Sequence, residues 1–394
     1  MLSAQTIAVV KSTLPLLESA GTAITAHFYQ RLFRHNPELQ DIFNMSNQHS
    51  GRQQFALFNA IAAYAKHIDT PEALGAAVER IAQKHSSLNV QAQHYPIVGH
   101  HLLETLRELA PEAFTPEVEA AWGEAYGFLA NILIGREQEI YQQANGGSGG
   151  WSGPRPFIVK EKKPESELVT SFVLSPSDGG PVLDYRPGQY LAVRVKPAAA
   201  DYWEIRQYSI SDKANGNSYR ISVKREQGAR PGLVSNYLQD QIQAGDELQV
   251  LPPAGDFYLK TTSRPNVLIS AGVGITPMMA ILETLANGHP DNPIYFLHAC
   301  ETPQQHSFAG RVQNLETQLP ALKSFTWYNR AAVAGSFAGT MQLAELEDTL
   351  PLADGHFYLC GPIAFMAFAK QQLVQLGVAG ERIHYEVFGP HTEI

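Results

Sequence analysis

Cysteine is scarce in this sequence, with only Cys300 and Cys360 among 394 residues. So few cysteines exclude a cysteine-based metal framework and fit a reducing cytoplasm. Positive charge is also in deficit, because 29 Lys and Arg residues face 38 Asp and Glu residues, for a formal net charge of −9. The absence of a basic stripe argues against nucleic-acid binding, and the absence of a polybasic run argues against an anionic membrane surface. We therefore expect a cytoplasmic protein without a nucleic-acid partner or stable membrane association.

Long apolar runs are missing as well. The N-terminal stretch MLSAQTIAVVKSTLPLL is interrupted by Lys11 and Pro15, so it is predicted to be neither a secretory signal nor a membrane span. Apolar residues make up 44% of the chain and charged residues 17%, which is ordinary for a soluble globular protein. The length allows two to three domains, each with its own core.

The character of the sequence changes twice. Residues 1–144 have few glycines and long periodic apolar runs, and residues 145–150 (NGGSGG) are predicted to form a flexible joint. Short alternating runs such as FIVKEK and YLAVRV then predict an antiparallel barrel or sandwich. Further on, NVLISAG, PIYFLHAC and HFYLCG predict the strands of a parallel βαβ sheet. We predict a multidomain chain with an all-α domain (1–145), an antiparallel β-barrel (151–262) and an α/β parallel-sheet domain (263–394).

Polar residues stand on apolar helical stripes in the first domain. The stripe in 74–85 ends on His85, the stripe in 95–109 begins with Tyr95, and the stripe in 118–140 leads to Glu137. Burying a carboxylate without a partner costs on the order of several kcal/mol. We therefore predict that the three side chains are partners. Taken singly, His85 also fits an ordinary core histidine, and Lys84 beside it fits a solvated charge.

Nearly all of residues 1–143 resemble a globin. The matching positions are Phe43, Gln53, the pair Lys84 and His85, Tyr95, and Glu137 on the long final helix. The resemblance implies that His85 ligates haem iron, that Phe43 and Leu57 lie in the haem pocket, and that Tyr29 and Gln53 face oxygen on the distal side.

The polar set as a whole is more similar to bacterial flavohaemoglobins than to oxygen-storage globins. A carboxylate that is hydrogen-bonded to the far nitrogen of a ligand imidazole gives it imidazolate character. This pushes electron density onto iron and favours oxygen activation over storage. The Tyr29 hydroxyl would hydrogen-bond oxygen. Two roles stay open for Lys84, which are electron entry and holding Glu137 by charge.

The quartet Arg206-Gln207-Tyr208-Ser209, predicted to begin a strand after a loop, has the chemistry of a flavin site. An arginine can bind a diphosphate with two hydrogen bonds, and a tyrosine ring can stack on isoalloxazine. A serine hydroxyl can hydrogen-bond the N5 region of the flavin. Taken alone, the quartet also fits a surface strand with an aromatic residue.

Two further segments have flavin-binding chemistry. PGQY (187–190) offers Tyr190, and GLVS (232–235) places Gly232, Val234 and Ser235 at a helix start, where a serine cap would form an anion site. With the quartet, they resemble the flavin barrel of the ferredoxin-reductase superfamily. Ile210 stands where that pattern has another small polar residue.

A glycine turn dominates the third domain. Gly272-Val273-Gly274-Ile275-Thr276-Pro277 joins the strand NVLIS to the helix MMAILETLA, a context in which backbone N–H groups can approach a pyrophosphate. Cys360-Gly361-Pro362 follows another strand and is predicted at the same edge of the sheet. Taken alone, it also fits a plain turn. The resemblance places it near the nicotinamide.

The C-terminal run Val387-Phe388-Gly389-Pro390 is predicted to end the last strand. In similar reductases a terminal aromatic covers the flavin, which implies this role for Phe388, while Val387 stands where flavohaemoglobins often have cysteine. Glu301 follows the second strand, and no arginine occurs until Arg311. Because a 2′-phosphate needs basic residues there, the sequence favours NADH.

The order of globin, flavin barrel and nicotinamide domain makes the whole chain resemble bacterial flavohaemoglobins. The resemblance implies haem b, FAD and NAD(P)H as cofactors, a monomer, and nitric oxide dioxygenase activity that converts NO and O2 to nitrate and thereby detoxifies NO. Two alternatives stay open. One is an oxygen-binding or oxygen-sensing globin that its reductase keeps ferrous, and the other is a flavin, ferric-iron or quinone reductase with an ancillary globin.

Overall fold

The computed structural model describes residues 2–43, 51–228, 231–389 and 394. The chain divides into two compact units. The first unit comprises Met1–Gly146, Arg194–Arg206 and Gly389–His391, and the second comprises Gly147–Val193, Gln207–Phe388 and Thr392–Ile394.

Helices form the described part of the chain up to residue 146, in agreement with the apolar periodicity. They are α1 (Ala4–Ser12), α2 (Leu14–Ala20), α3 (Thr22–His35), α4 (Arg52–Lys66), α5 (Gly75–Ser87), α6 (His94–Leu109) and α7 (Pro116–Gly146). Helix α3 packs against α4 and α6, and α7 packs against α1 and α5. No single described helix is long and apolar enough to cross a membrane, and only the pair Ala4–Ala20 and Thr22–His35, bent by 90°, passes that test together.

The glycine-rich joint differs from the expectation. Helix α7 continues through Gly146, so residues 147–154 lie between it and the first strand, which begins at Arg155. Gly149 has a φ of +72°, and a Cβ there would lie 2.6 Å from the Val182 carbonyl carbon. Gly149 is therefore packed against backbone rather than free, which composition alone did not indicate.

Six antiparallel strands form the predicted flavin barrel. They are β1 (Arg155–Pro164), β2 (Val169–Pro176), β3 (Tyr190–Val195), β4 (Glu204–Ser209), β5 (Tyr219–Lys224) and β6 (Glu247–Ala254), in the order β4-β3-β6-β1-β2-β5. An antiparallel bridge between Ile210, directly after β4, and Ile221 on β5 joins the two ends of this order. Helix α8 (Leu233–Asp240) lies between β5 and β6 in the sequence.

The remaining strands form a parallel sheet. They are β7 (Asn266–Ala271), β8 (Ile294–Cys300), β9 (Leu322–Tyr328), β10 (Phe337–Ala338), β11 (His356–Cys360) and β12 (Ile383–Glu386), in the order β10-β9-β8-β7-β11-β12. Helices α9 (Ile275–Gly288), α10 (Ala309–Gln318) and α11 (Ile363–Gln375) connect them. The buried strands carry apolar clusters on both faces, as parallel sheets require. The chain order reverses between β7 and β11, which is where such sheets bind ligands.

Candidate functional site

A hydrogen-bonded triad of His85, Tyr95 and Glu137 lies in the helical unit, with one residue each from α5, α6 and α7. The Tyr95 hydroxyl donates to Glu137 Oε1 at 2.5 Å. His85 Nδ1 lies 2.8 Å from the same oxygen and 3.0 Å from the Tyr95 hydroxyl. Glu137 is 2% exposed, so the carboxylate depends on these partners. The structure thus brings together the three residues that interrupt the apolar stripes.

The triad fixes which nitrogen of His85 is available to a ligand. The Tyr95 hydroxyl has one hydrogen, which points to Glu137, and a carboxylate can only accept, so Nδ1 must carry the imidazole hydrogen. The hydrogen bonds of His85 within the described residues all use Nδ1, which leaves Nε2 as a lone-pair donor. The His85 side chain is 33% exposed and therefore reachable. These features fit a haem iron ligand.

The surroundings of the triad suit a porphyrin better than a bare ion. No group of three or more His, Cys, Asp or Glu residues in the described ranges could hold a metal ion by itself. Tyr95 packs with Ala130 and Leu133 in an apolar cluster that also contacts Tyr126. The same Tyr126 contacts a second, aromatic cluster built on α3, so the two clusters form continuous apolar walls. A flat apolar macrocycle with one open iron position matches this lining.

Tyr29 lies in that aromatic cluster and is 4% exposed. Its ring centroid lies 5.0 Å from that of Phe28 and 5.8 Å from those of Phe33 and Phe43. Leu57 on α4 packs against the same cluster. The structure therefore groups Tyr29, Phe43 and Leu57.

The other predicted residues of this unit lie on neighbouring positions. Gln53 is half-buried near the start of α4, one turn before Leu57. Lys84 is half-buried on α5 and directly precedes His85. Both therefore occupy elements that carry triad or cluster residues.

The flavin quartet ends strand β4 instead of beginning it, contrary to the prediction. The strand begins at Glu204, two residues before the quartet, and alternation places Glu204, Arg206 and Tyr208 on one face of it. Glu204 Oε2 lies 2.8 Å from Arg206 Nη1, and Arg206 also donates to the Ile205 carbonyl oxygen at 2.9 Å. Ser209 is buried and Gln207 is half-buried.

The start of α8 differs from the prediction in its cap. Gly232 occupies the cap position without a side-chain hydrogen bond, and Ser235 lies inside the first turn. The reason is that the chain leaves the helical conformation at Gly232, whose φ and ψ are −67° and 116°. A Cβ on Gly232 would overlap the Ser235 hydroxyl oxygen, and Val234 beside it is buried.

This turn has the donors that a diphosphate requires. The Ser235 hydroxyl is buried and has no hydrogen-bond partner among the described residues. The first N–H groups of a helix also lack intrahelical acceptors and attract anions. An unpaired buried hydroxyl is costly unless a ligand satisfies it. The orphaned hydroxyl and the glycine cradle therefore fit a flavin diphosphate.

The remaining predicted flavin residues lie on other elements, namely β3 and the segment after β12. The Tyr190 ring packs on Gly255, where a Cβ would lie 2.9 Å from the ring. Val387 is buried in an apolar cluster of the parallel sheet, whereas Phe388 is 43% exposed. Both follow β12, with Gly389 next to them at a φ of +130°. Pro390 lies outside the described residues.

Two predicted turns meet at the carboxyl edge of the parallel sheet. Ser270 on β7 pairs with Cys360 on β11, so the segments that follow both strands lie side by side. A Cβ on Gly274 would overlap the Cys360 carbonyl oxygen, and only glycine permits this approach. Gly272 has a φ of +54°. The glycine turn and the Cys360-Gly361-Pro362 turn therefore form one surface at the reversal of strand order.

The rest of the glycine turn shapes the start of α9. Val273 accepts a hydrogen bond from the Thr276 hydroxyl at 3.0 Å. Ile275, Thr276 and Pro277 are buried in the first turn of the helix. Pro362 occupies the cap position directly before α11. Both helix starts therefore present first-turn backbone N–H groups at this edge, as a pyrophosphate site requires.

Sequence reasoning overlooked several residues. Glu204 pairs with Arg206, and their spacing of two residues on a strand could have predicted that both lie on one face. Tyr126 donates to the Tyr95 carbonyl oxygen at 2.6 Å, which fixes the backbone of the triad. Arg330, far from Glu301 in sequence, forms an ion pair with it at 2.7 Å. The ion pair between Glu301 and Arg330 joins two strand ends, and no local sequence pattern predicts it.

Comparison with known proteins agrees with this arrangement. A globin family model matches residues 26–133, an oxidoreductase FAD-binding domain model matches 156–258, and an oxidoreductase NAD-binding domain model matches 268–371. A curated flavohemoprotein of Vibrio cholerae serotype O1 is 56% identical over 396 residues, which cover 100% of both chains.

Two solved structures are similar to this chain. The flavohemoglobin of Malassezia yamatoensis, with bound FAD and heme, has a TM-score of 0.87 at 27% identity and covers 98% of this chain and 100% of that one. The flavohem-like FAD/NAD-binding domain of nitric oxide dioxygenase from Vibrio cholerae O1 has a TM-score of 0.58 at 52% identity. It covers 60% of this chain and 99% of that one.

The predicted fold is confirmed as a helical globin domain, an antiparallel FAD domain and a parallel-sheet NAD domain. The predicted cofactor set of haem, FAD and a nicotinamide dinucleotide is confirmed with these domains. Because a relative is 56% identical along the full length of both chains, this chain belongs to the flavohemoprotein family.

Proposed function

We propose that this chain is an NAD(P)H-dependent nitric oxide dioxygenase that removes NO under aerobic conditions. Two NO and two O2 take up the two electrons of one hydride to give two nitrate ions, NAD(P)+ and a proton. The His85, Tyr95 and Glu137 triad carries the proposal, because its geometry makes His85 a strongly electron-donating ligand.

When bound, the nicotinamide supplies a hydride, FAD divides the electron pair, and haem provides iron for oxygen chemistry. Glu137 keeps the Nδ1 hydrogen of His85 in a strong hydrogen bond and so increases the basicity of Nε2. Tyr95 remains a hydrogen-bond donor because burial, together with its hydrogen bond to Glu137, raises the pKa of its hydroxyl far above the ordinary value. The Tyr95 hydroxyl therefore keeps its hydrogen for Glu137 at neutral pH.

Tyr29 and Gln53 are proposed to serve the opposite side of the haem. Tyr29 is 4% exposed and packs among aromatic rings, and such burial would strengthen a hydrogen bond from its hydroxyl to a developing negative charge. Phe43 and Leu57 complete this apolar wall. Lys84, beside the ligand histidine, is proposed to aid electron entry or to hold Glu137 by charge.

The second half of the chain is proposed to deliver electrons. Gly232 and Ser235 would hold the FAD diphosphate, while Tyr190 and Tyr208 would flank the ring system. Gly274 and the adjacent Cys360 turn would hold the dinucleotide, because their close packing presents helix N–H groups at the edge of the sheet. We also propose that the protein acts as a cytoplasmic monomer on small molecules.

The test compares NADH oxidation by the holoenzyme with and without NO while nitrate is measured. We expect NO to stimulate oxidation and nitrate to account for the NO that is consumed. Tyr29→Phe should accelerate oxygen dissociation about tenfold or more, because one hydrogen bond to a charged group is lost. Tyr64→Phe is the matched control, since its buried hydroxyl donates instead to the Ala125 carbonyl oxygen at 2.7 Å.

The outcomes separate the alternatives. If NO does not stimulate oxidation, the chain is an oxygen-binding globin with a maintenance reductase. If ferric iron, free flavin or a quinone is reduced equally well whether or not haem is present, the reductase is the main activity. An unchanged oxygen dissociation rate in Tyr29→Phe would remove Tyr29 from the proposed site.

A further inference from the structure

The segment that joins β3 to β4 belongs to the helical unit. It runs from Arg194 to Arg206 and groups with Met1–Gly146, whereas β3 begins and β4 ends in the second unit. Between the two strands, residues 196–203 form a loop without helix or strand. This loop is longer than the roughly two to five residues that usually join neighbouring antiparallel strands. Loops of unusual length commonly carry a function.

The end of this loop is hydrogen-bonded to a segment of the helical unit. The Trp203 amide donates to Asp41 Oδ1 at 2.8 Å. Asp41 is the last residue of a short 3₁₀ helix, Pro37–Asp41, and both partners are half-buried. Hydrogen bonds to a carboxylate are stronger than those between neutral groups. The contact therefore fixes the backbone directly before β4.

The indole ring of Trp203 carries a stacked cation. Arg194 Cζ lies 4.0 Å from the ring centroid, which is within the range of a cation–π interaction. Burial lowers the pKa of the Arg194 guanidinium, and the charge of Asp41 opposes this effect. Asp41 thus holds the Trp203 backbone and also attracts the cation on its ring. We call these three residues, Asp41, Arg194 and Trp203, the Trp203 cluster.

The Trp203 cluster connects the predicted haem pocket to the predicted flavin strand along the chain. Leu39, in the same 3₁₀ helix as Asp41, is 3% exposed and packs in the aromatic cluster with Tyr29 and Phe43. On the other side, Trp203 directly precedes β4, which carries the flavin quartet. The rate of a reaction between two held groups depends steeply on their placement. A contact that ties these two segments together can therefore control transfer between their cofactors.

We propose that Asp41 and Trp203 are positioning residues for electron transfer from flavin to haem. In each transfer the reduced flavin loses one electron, and the ferric haem iron gains it and becomes ferrous. The Trp203 cluster acts through the backbone at the start of β4, and hydride transfer from the nicotinamide to the flavin does not depend on it. This inference rests on the proposed function and specifies residues that govern its second electron step.

The experiment mixes the holoenzyme with NADH in a stopped-flow instrument, under carbon monoxide and without O2 or NO. Flavin bleaching and ferrous haem formation are followed separately. Asp41→Ala should leave flavin reduction unchanged and slow haem reduction about tenfold or more. Asp41→Asn keeps a side-chain oxygen as acceptor and should retain most of the original rate. Asp201→Ala removes an exposed carboxylate from the same loop and is the charge-matched control, which should behave as the unmodified protein.

Hydrogen–deuterium exchange of the same proteins tests the contact without turnover. The Trp203 amide should exchange about tenfold or more faster in Asp41→Ala, because its acceptor is lost. The exchange should remain slow in Asp41→Asn and in Asp201→Ala.

Each outcome has a separate meaning. Unchanged haem reduction in Asp41→Ala, despite faster exchange at Trp203, overturns the positioning role. Unchanged exchange at Trp203 overturns the contact itself. Equal slowing of flavin and haem reduction indicates a general loss of structure and also overturns the proposal. If the unmodified protein passes no electrons from NADH to its haem, the proposed function fails, whatever the variants show.

Discussion

One oxygen atom of Glu137 receives hydrogen bonds from two side chains on two other helices. Burying this carboxylate is favourable only while both donors are present, because the loss of either would leave a charged group without a hydrogen bond in a low-dielectric region. The same geometry transmits negative charge to the far side of the His85 ring. The carboxylate thus joins three helices and, in the proposed haem site, would also set the electronic character of His85.

Glu137→Gln should therefore separate these two effects. The amide oxygen can still accept a hydrogen bond, so we expect the free energy of unfolding to fall by only about 1 kcal/mol. The haem reduction potential should rise by tens of millivolts, on the order expected when the charge on a ligand's hydrogen-bond partner is removed.

Potentiometric titration followed by visible spectra provides the measurement. Glu139→Gln is a suitable control, because Glu139 lies on the same helix, is 64% exposed and pairs with Arg136 at the surface. An unchanged potential in Glu137→Gln would show that the triad does not tune the iron.

At the scale of elements, two turns at the edge of the parallel sheet approach each other closely. Gly274 caps the start of α9, and a Cβ on it would overlap the Cys360 carbonyl oxygen, so the turn after β7 and the turn after β11 share one surface. No side chain fits between them. The spacing of the two predicted dinucleotide segments is therefore set by the absence of a single methyl group.

Gly274→Ala should force these turns apart. We expect a loss of about 1–3 kcal/mol in the free energy of unfolding, which is typical of overpacking, together with weakened dinucleotide binding. Gly288→Ala at the other end of the same helix meets no atom within 4 Å and should be neutral or slightly stabilising. Urea unfolding of the two variants checks this, and equal stabilities would contradict the close approach.

Periodicity predicted most of these elements from the sequence. The stripes that end on His85, Tyr95 and Glu137 identified three helix faces that must pack on one another, because a buried carboxylate needs donors. Alternating and continuous apolar runs distinguished the antiparallel strands from the parallel ones. These signals are local, repeat over many residues and survive small errors in boundaries.

The failures occurred where a single residue decides the structure. Whether Gly232 or Ser235 caps α8 depends on which residue leaves the helical conformation, and both are common at helix starts. The start of β4 depends on hydrogen bonds with another strand, which a local pattern does not contain. Gly149 in the joint looked unconstrained because its partner, Val182, lies elsewhere in the sequence.

At the scale of the whole molecule, half-buried histidines make stability dependent on pH. Burial lowers the pKa of His306 and of His384 from 6.5 to about 4. The unfolded chain therefore binds protons at these sites between pH 6.5 and about 4, whereas the folded chain does not. The associated stability is present above pH 6.5 and is lost as the pH falls towards 4.

The contribution of His306 alone should amount to about 2 kcal/mol between about pH 7 and about pH 5. His306→Gln should accordingly flatten the dependence of the free energy of unfolding on pH in this interval. His289→Gln, at an exposed position, is the control. Denaturant titrations at the two pH values make the comparison, and parallel curves for all three proteins would exclude His306 as a determinant.

The two thiols of this chain both end strands of the same sheet. Cys360 is fully buried, and burial, with Glu386 nearby, raises its pKa well above the ordinary value. Burial, with Glu301 nearby, raises the pKa of Cys300 to about 12. Alkylating reagents should therefore react slowly with both thiols of the native protein at neutral pH. The rate at which either thiol is alkylated would then report how often β8 or β11 opens. The two cysteines are therefore built-in probes of local unfolding in the nucleotide-binding sheet.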